Sequence, residues 1–227
     1  MDAREIFNSP FALYYEKVIN RISALRVNRW RLNLVKGVAS LRPEAKFVMD
    51  FCSGAGNVGE LYLKENPKAI LVNCDVSKPL LGLAKDRFKG RAYCVCADNR
   101  FFPVKDSSVD VLFSSFCVRN SLNPILTVKE AFRVLKEGGV WGILDFFRIS
   151  RRDIFVIAND VIFKSFMSMS KLLAPRSEAI DYLFKSIDSF YSVEEFIAIL
   201  KGNNFDVVKV RSFMGGIAHS VIALKGY

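Results

Sequence analysis

The chain has 227 residues, 51% of them apolar and 25% charged, which is enough apolar mass for one buried core and excludes a disordered tail. The formal charge of +10 suits it to phosphates, nucleic acid or an anionic membrane face. A single histidine, His219, excludes a histidine-rich metal site, and five cysteines in a chain of this length do not suggest a disulfide scaffold.

No apolar run approaches the ~18 residues that a membrane span requires. Met1 to Ser9 carry charge and no apolar h-region, so a secretory signal is not expected. The expectation is one cytoplasmic domain over residues 1–227. Residues 1–45 read as a helical N-terminal cap bearing Phe7, Phe11, Tyr14, Tyr15, Arg29, Trp30 and Arg31.

From Lys46 onward short apolar runs alternate with amphipathic stretches. Phe47 to Cys52, Ala69 to Cys74, Ala92 to Ala97, Val109 to Phe116 and Val140 to Phe147 read as parallel strands covered on both faces. In the third run Cys94 and Cys96 are expected as small buried apolar residues. Asn57, with Glu60 three residues on, predicts one helix start; Ser77 and Asn123-Pro124 predict two more. The helix after Asn123 is expected to stop at Gly138-Gly139. Strand and helix in alternation predict a doubly wound α/β fold. Residues 148–190 read as a helical insertion, with an apolar stripe through Ile154, Val161, Phe166, Met169 and Leu173 that can be either core or substrate wall. A capping box, Ser192-x-x-Glu195, opens a last helix, and two strands follow, Phe205 to Phe213 and Ile217 to Leu224.

The chemistry concentrates where strands end. Gly54, Gly56 and Gly59 satisfy G-x-G-x-x-G after a strand, a pattern shared by dinucleotide and other nucleoside sites. Asp50, four residues earlier, would repel a pyrophosphate lodged at the helix N-terminus but suits a ligand carrying an ammonium and a sulfonium. Asp75, about 20 residues on, can accept two ribose hydroxyls. Asp98-Asn99 follows the third strand, within reach of an adenine amino group. Each acid taken alone can be a helix cap; three at successive strand ends favour a nucleoside ligand.

These residues, with Leu135-Lys136-Glu137-Gly138-Gly139, resemble a Rossmann-like class I S-adenosylmethionine-dependent methyltransferase. Ser115-Phe116-Cys117-Val118-Arg119-Asn120 further resembles the S-F-x-x-R-N signature of the ubiquinone/menaquinone biosynthesis C-methyltransferases. Ile6-Phe7-Asn8-Ser9, Tyr15-Glu16, Trp30-Arg31, Tyr182-Leu183, Ser186-Ile187 and Gly215-Gly216-Ile217 extend the likeness over nearly the whole chain. The resemblance implies a seven-stranded, mostly parallel sheet with an antiparallel last strand and helices on both faces. It implies S-adenosyl-L-methionine as cofactor and S-adenosyl-L-homocysteine as product. Cofactor binding falls to Asp50, Cys52, Ser53, Gly54, Ala55, Gly56, Asp75, Val76, Asp98, Asn99 and Ser115; catalysis falls to Arg119, Asn120, Asp145 and Tyr15, without a metal. The acceptor would be a lipophilic, prenylated quinol, methylated at a ring carbon by a protein in transient contact with the inner face of a membrane.

The chain departs from the family pattern at Ala55 and Asn57, where Thr and Asp are usual, and at Glu16 and Asp145, where Asp and Glu are usual. Methylation of another small molecule or of RNA, a non-catalytic binding subunit and an NAD-linked oxidoreductase remain as alternatives. Against nucleic acid stand the scattered basic residues and the lack of a Pro-Pro or Pro-Cys element after the fourth strand. Arg119-Asn120 can also be a loop pair bonding the backbone, and oligomeric state, homodimer included, stays open. His219 is distant in sequence from the cofactor motifs, so a histidine base is not expected.

Overall fold

The computed structural model describes residues 19, 26–98, 100–149 and 178–226. Tyr15, Asn99 and the apolar stripe of residues 154–173 lie outside them. The described elements run α1 (Val27–Leu41), β1 (Phe47–Phe51), α2 (Asn57–Glu65), β2 (Ile70–Asp75), α3 (Lys78–Phe88), β3 (Tyr93–Cys96), β4 (Val109–Ser115), α4 (Pro124–Val134), β5 (Leu135–Phe146), α5 (Glu178–Asp188), α6 (Val193–Gly202), β6 (Phe205–Phe213) and β7 (Ala218–Lys225).

The strands form one sheet in the order β3-β2-β1-β4-β5-β7-β6. Neighbours from β3 to β5 are parallel, and β7 runs antiparallel to both β5 and β6. This is the expected seven-stranded, mostly parallel architecture. Strand periodicity sends alternate residues to opposite faces. Val48, Val111 and Phe113 join Leu34, Val38 and Tyr62 on one face. Met49, Leu112 and Trp141 join Val128, Phe196 and Phe205 on the other. Burying two such layers is the main favourable term in folding.

Local signals explain most element ends. Ser77 Oγ accepts from Leu80 N–H at the start of α3, and Asn123 Oδ1 accepts from Leu126 N–H before α4. The Ser192–Glu195 capping box is formed in both directions, at 3.3 and 2.8 Å. Asp110, on β4, accepts from the backbone N–H groups of Lys46 and Phe47 and from Lys136 Nζ at 2.7 Å, tying β1 to β5 across the strand between them. Arg133 joins Glu130 and Asp106 to the carbonyls of Phe102 and Val104, fixing the connection from β3 to β4.

Four expectations need correction. Asn57 is the first helical residue of α2 rather than its cap; Gly56 occupies the cap position in a left-handed conformation with no side-chain bond. Helix α4 stops at Val134, because Leu135 enters the sheet opposite Val109. Gly138 (φ 63°) then lies in a bulge inside β5, its carbonyl held by Arg42 Nε at 2.9 Å. Strand β3 is a sheet edge, so Cys94 is only half-buried and Cys96 is exposed. Finally, Cys52 and Cys117, 65 residues apart, are joined in a disulfide, a single bridge that spacing alone did not reveal.

Gly142 sits mid-β5 where α1 crosses the sheet. A Cβ there would come within 2.8 Å of Val38 Cγ2 and 3.0 Å of the Phe113 ring. Gly142→Ala should therefore cost about 1–3 kcal/mol through overpacking, read as a lower denaturant midpoint at unchanged m value. An unaltered midpoint would show that α1 can lift off the sheet at little cost.

Candidate active site

In an open parallel sheet, the crevice beyond the carboxyl ends of the strands is where helices begin and ligands bind. The loop Cys52–Gly56 leaves β1 there. Ser53 N–H donates to Cys74 O and Gly56 N–H to Ser53 O, folding the loop into tight turns. Gly54 and Gly56 have φ of 54° and 79°, and a Cβ on Gly56 would meet the Phe88 ring at 2.4 Å, so that position demands glycine. Ala55 is half-buried in the same loop and Val76 in the next, after β2.

Asp75, at the end of β2, anchors the loop. Its Oδ2 accepts from Gly54 N–H and its Oδ1 from Ser77 N–H, both at 2.8 Å. Burial raises its pKa, the N–H groups of Ser77, Gly54 and Val76 holding it back. Asp50, 1% exposed, accepts from Gly59 N–H at 3.2 Å through Oδ2, while its Oδ1 is buried without a hydrogen-bond partner. Loss of water pushes its carboxyl up to about 7, against the opposing pull of Gly59 N–H and the Arg31 charge. Ser53 Oγ is likewise buried without a partner. Two orphaned polar atoms beside a glycine cradle fit a polar ligand that supplies the missing bonds. Asp98 lies past β3, where the sequence places it, but Arg100 engages both its carboxylate oxygens at 3.0 Å.

A second cluster forms beyond β4 and β5. Arg119 and Asn120 lie in a 3-10 turn (Val118–Asn120). Arg119 N–H donates to Asp145 Oδ2 at 3.1 Å, and its Nε lies 3.5 Å from Asp145 Oδ1. Both side chains are essentially buried, and burial raises the Asp145 carboxyl despite the neighbouring guanidinium. Arg119 Nη1 also donates to Asn120 Oδ1 and to Ser186 Oγ, both at 3.3 Å. Asn120 Oδ1 accepts from Tyr182 as well, at 3.2 Å, and Asn120 Nδ2 donates to Phe116 O. The Arg119 guanidinium lies over Phe146, 5.7 Å from the ring centre.

Tyr182 and Ser186, one turn apart on α5, thus belong to this cluster, though the sequence reading gave them no role. Their i, i+4 spacing was the available signal. Arg31 was also missed as a site residue: α1 carries it to Ser115, where its Nε donates to Oγ at 3.3 Å. The backbone is strained at both loops, Cys52 and Phe116 having φ of 50° and 58°, a cost that non-glycine residues bear mostly at functional sites. The Cys52–Cys117 bridge joins those two loops.

Sequence distance misled for His219. Strand β7 sets it directly opposite Asp145 in the sheet. Burial lowers its pKa to about 4 and its ring packs edge-on against Phe147, so it is neutral and a weak base near neutral pH.

The orphaned Asp50 carboxyl has a measurable consequence. Its folded pKa of about 7 exceeds the 3.8 of a free aspartate, so the folded state binds the extra proton and this group's contribution to stability is lost as pH rises through that window. Asp50→Asn should be more stable than the parent at pH 8 by a few kcal/mol, on the order expected for a shift of this size, and the difference should shrink at pH 5. Denaturant melts at the two pH values test this; an equal difference at both would remove the burial account.

The comparisons with known proteins agree with this geometry. The model of the ubiE/COQ5 methyltransferase family matches residues 2–225. The ubiquinone/menaquinone biosynthesis C-methyltransferase UbiE of Campylobacter jejuni is 29% identical over 230 residues, covering 97% of this chain and 96% of that one. The demethylmenaquinone methyltransferase of Protochlamydia amoebophila is 30% identical, with 97% and 93% covered. A mitochondrial 2-methoxy-6-polyprenyl-1,4-benzoquinol methylase of Caenorhabditis elegans is 29% identical over 176 residues, and the match spans 61% of its length. Among solved structures, a methyltransferase from Haloferax volcanii in complex with its Trm112 activator superposes with a TM-score of 0.66 at 15% identity, covering 92% of this chain and 95% of that one. One from Bacillus halodurans reaches 0.65 at 17%, covering 86% and 99%; at such identities the likeness concerns the fold alone. With a family model matched from end to end over a methyltransferase fold, the chain belongs to the ubiE/COQ5 methyltransferase family.

Proposed function

We propose that the protein transfers a methyl group from S-adenosylmethionine to a ring carbon of a reduced, lipophilic quinone. The observation that carries this reading is the buried Arg119–Asn120–Asp145 cluster, set beside the cofactor loops and walled by Phe116 and Phe146. The printed activities of the Campylobacter and Protochlamydia relatives support the same acceptor class. Asp50, Ser53, the Gly54–Gly56 turn, Asp75 and Ser115 would hold the cofactor, whose chemical contribution is an electrophilic methyl group on sulfonium.

The residues of the second cluster have work suited to such an acceptor. An arene carbon is a poor nucleophile until the neighbouring phenol loses its proton and pushes charge into the ring. Arg119 is always protonated, so it serves by stabilising the phenolate oxygen or by orienting the water that takes the proton. Asp145 aims the guanidinium through a charge-assisted contact. Asn120, braced by Tyr182 and the Phe116 carbonyl, orients the ring oxygen. Aromatic walls keep water from the phenolate, which strengthens each electrostatic contact.

Arg119→Ala should lower turnover by on the order of a hundredfold, as removing one charge-stabilising donor typically does, while S-adenosylmethionine affinity stays within about twofold. Assays with demethylmenaquinol and with a ubiquinone-precursor analogue, run beside calorimetric titration of the cofactor, separate the two effects. Parental turnover in that variant with either acceptor would overturn the assignment.

The formal charge of +10 supports transient contact with an anionic membrane, where such an acceptor resides; among the described residues no helix is long and apolar enough to cross one. Co-sedimentation with vesicles should rise with anionic lipid and fall with salt. Binding indifferent to both would refute the electrostatic contact.

A further inference from the structure

Of the five cysteines, two are joined, and their bridge stands where the site divides. Cys52 is the first residue past β1 and opens the glycine loop. Cys117 lies beyond β4 and immediately precedes the 3-10 turn that carries Arg119 and Asn120. Strands β1 and β4 are parallel neighbours, with Phe51 opposite Ser114, so their loops leave the sheet side by side. The Cα atoms of the two cysteines are 5.7 Å apart, within the usual span of a disulfide. Hydrogen bonds secure the two loops in opposite directions. Ser53 N–H donates to Cys74 O and Gly54 N–H to Asp75 Oδ2, towards β2. Phe116 N–H donates to Leu144 O and Arg119 N–H to Asp145 Oδ2, towards β5. The sulfur bridge runs across that divide. The backbone is left-handed at Cys52 and Phe116, a conformation that non-glycine residues hold where their surroundings impose it.

We propose that Cys52 and Cys117 are a reversible redox pair that sets how firmly the cofactor loop is held to the Arg119 loop. This rests on the methyl-transfer reading proposed above. One bridge between two functional loops differs from the several that staple a small domain, and matches a redox-sensing pair. The other cysteines are free: Cys74 is buried, Cys94 half-buried and Cys96 exposed. Burial pushes the Cys74 thiol up to about 12, so it stays protonated and does not compete as a thiolate. The pair closes by exchange with a low-molecular-weight disulfide. The Cys52 thiolate attacks that disulfide, forms a mixed disulfide and releases one thiolate; the Cys117 thiolate then attacks the Cys52 sulfur and releases the second. Two cysteine thiols are oxidised and one external disulfide is reduced to two thiols, which take up the two protons the cysteines lose. Cys52 is half-buried and Cys117 only 1% exposed, so exchange enters through Cys52 in both directions. Closing the bridge holds the cofactor side of the site in register with Arg119 and Asn120, which is where positioning contributes to rate.

The test equilibrates the whole protein anaerobically in glutathione buffers from fully reduced to fully oxidised. At each ratio, alkylation and peptide mapping report the Cys52–Cys117 bridge, and calorimetry reports S-adenosylmethionine affinity. Methyl transfer to separately reduced demethylmenaquinol, measured well below the melting temperature, reports turnover. On bridging, affinity should rise about threefold or more and turnover about fivefold or more, since small displacements of reacting groups are costly. Both should share the midpoint of the bridge. Cys117→Ser should keep the reduced-state values at every ratio, whereas Cys96→Ser should retain the parental transition. The parent titration carries the test alone should Cys117→Ser fail to fold. A bridge that forms while affinity and turnover stay constant is a structural cross-link and overturns the proposal, as do thiols that remain reduced in the most oxidising buffer. Turnover absent in every redox state, with affinity still following the bridge, would instead overturn the quinol acceptor and leave the redox pair standing.

Discussion

Three carboxylates, Asp50, Asp75 and Asp145, are held out of water at the carboxyl ends of β1, β2 and β5. Removing a carboxylate from water is costly unless something else satisfies it, and the fold answers differently at each. Asp75 is satisfied by backbone N–H groups from the turns it organises. Asp145 faces a guanidinium and also takes the Arg119 N–H within the 3-10 turn. Asp50 is left half-answered. Structural acids and an acid that still needs a partner are thus told apart by what is missing.

The two clusters lie at the same edge of the sheet because of how it is wound. Parallel strands all release their loops on the same side, so β1, β2, β4 and β5 deliver the glycine turn, Asp75, Arg119-Asn120 and Asp145 to a common crevice. Helix α1 adds Arg31 from one face of the sheet, and α5 adds Tyr182 and Ser186. Each helix also carries core residues, so neither can move without unpacking Trp30 or Leu183. The stability of the core is thereby transmitted to the aim of the polar groups.

Much of this was legible in the sequence because it follows from local rules. Caps at Ser77, Asn123 and Ser192 depend on a side chain and the next turn of backbone, and all three formed. Asp75 announced itself by following an apolar run, Asp50 by standing four residues before the glycines, and Arg119 by the likeness of Ser115–Asn120 to a family signature. What escaped depended on distant pairing. Leu135 could have continued α4, but Val109 offered a strand partner and tertiary pairing overrode the local pattern. Cys96 looked buried until β3 proved to be an edge. His219 seemed remote until β7 folded back opposite Asp145. Cys52 and Cys117 were separated by 65 residues, and Arg31 was read only as part of the N-terminal cap.

Strand β7 has a consequence for the making of the protein. It follows β6 in sequence yet lies between β6 and β5 in the sheet. A chain emerging from the ribosome therefore completes β5 long before its neighbour exists. During that interval the backbone of Val140 to Phe146 presents unpaired donors and acceptors along a strand that is apolar on both faces, the kind of edge that recruits other chains. Until its partner arrives, that edge is where pairing with another chain would start.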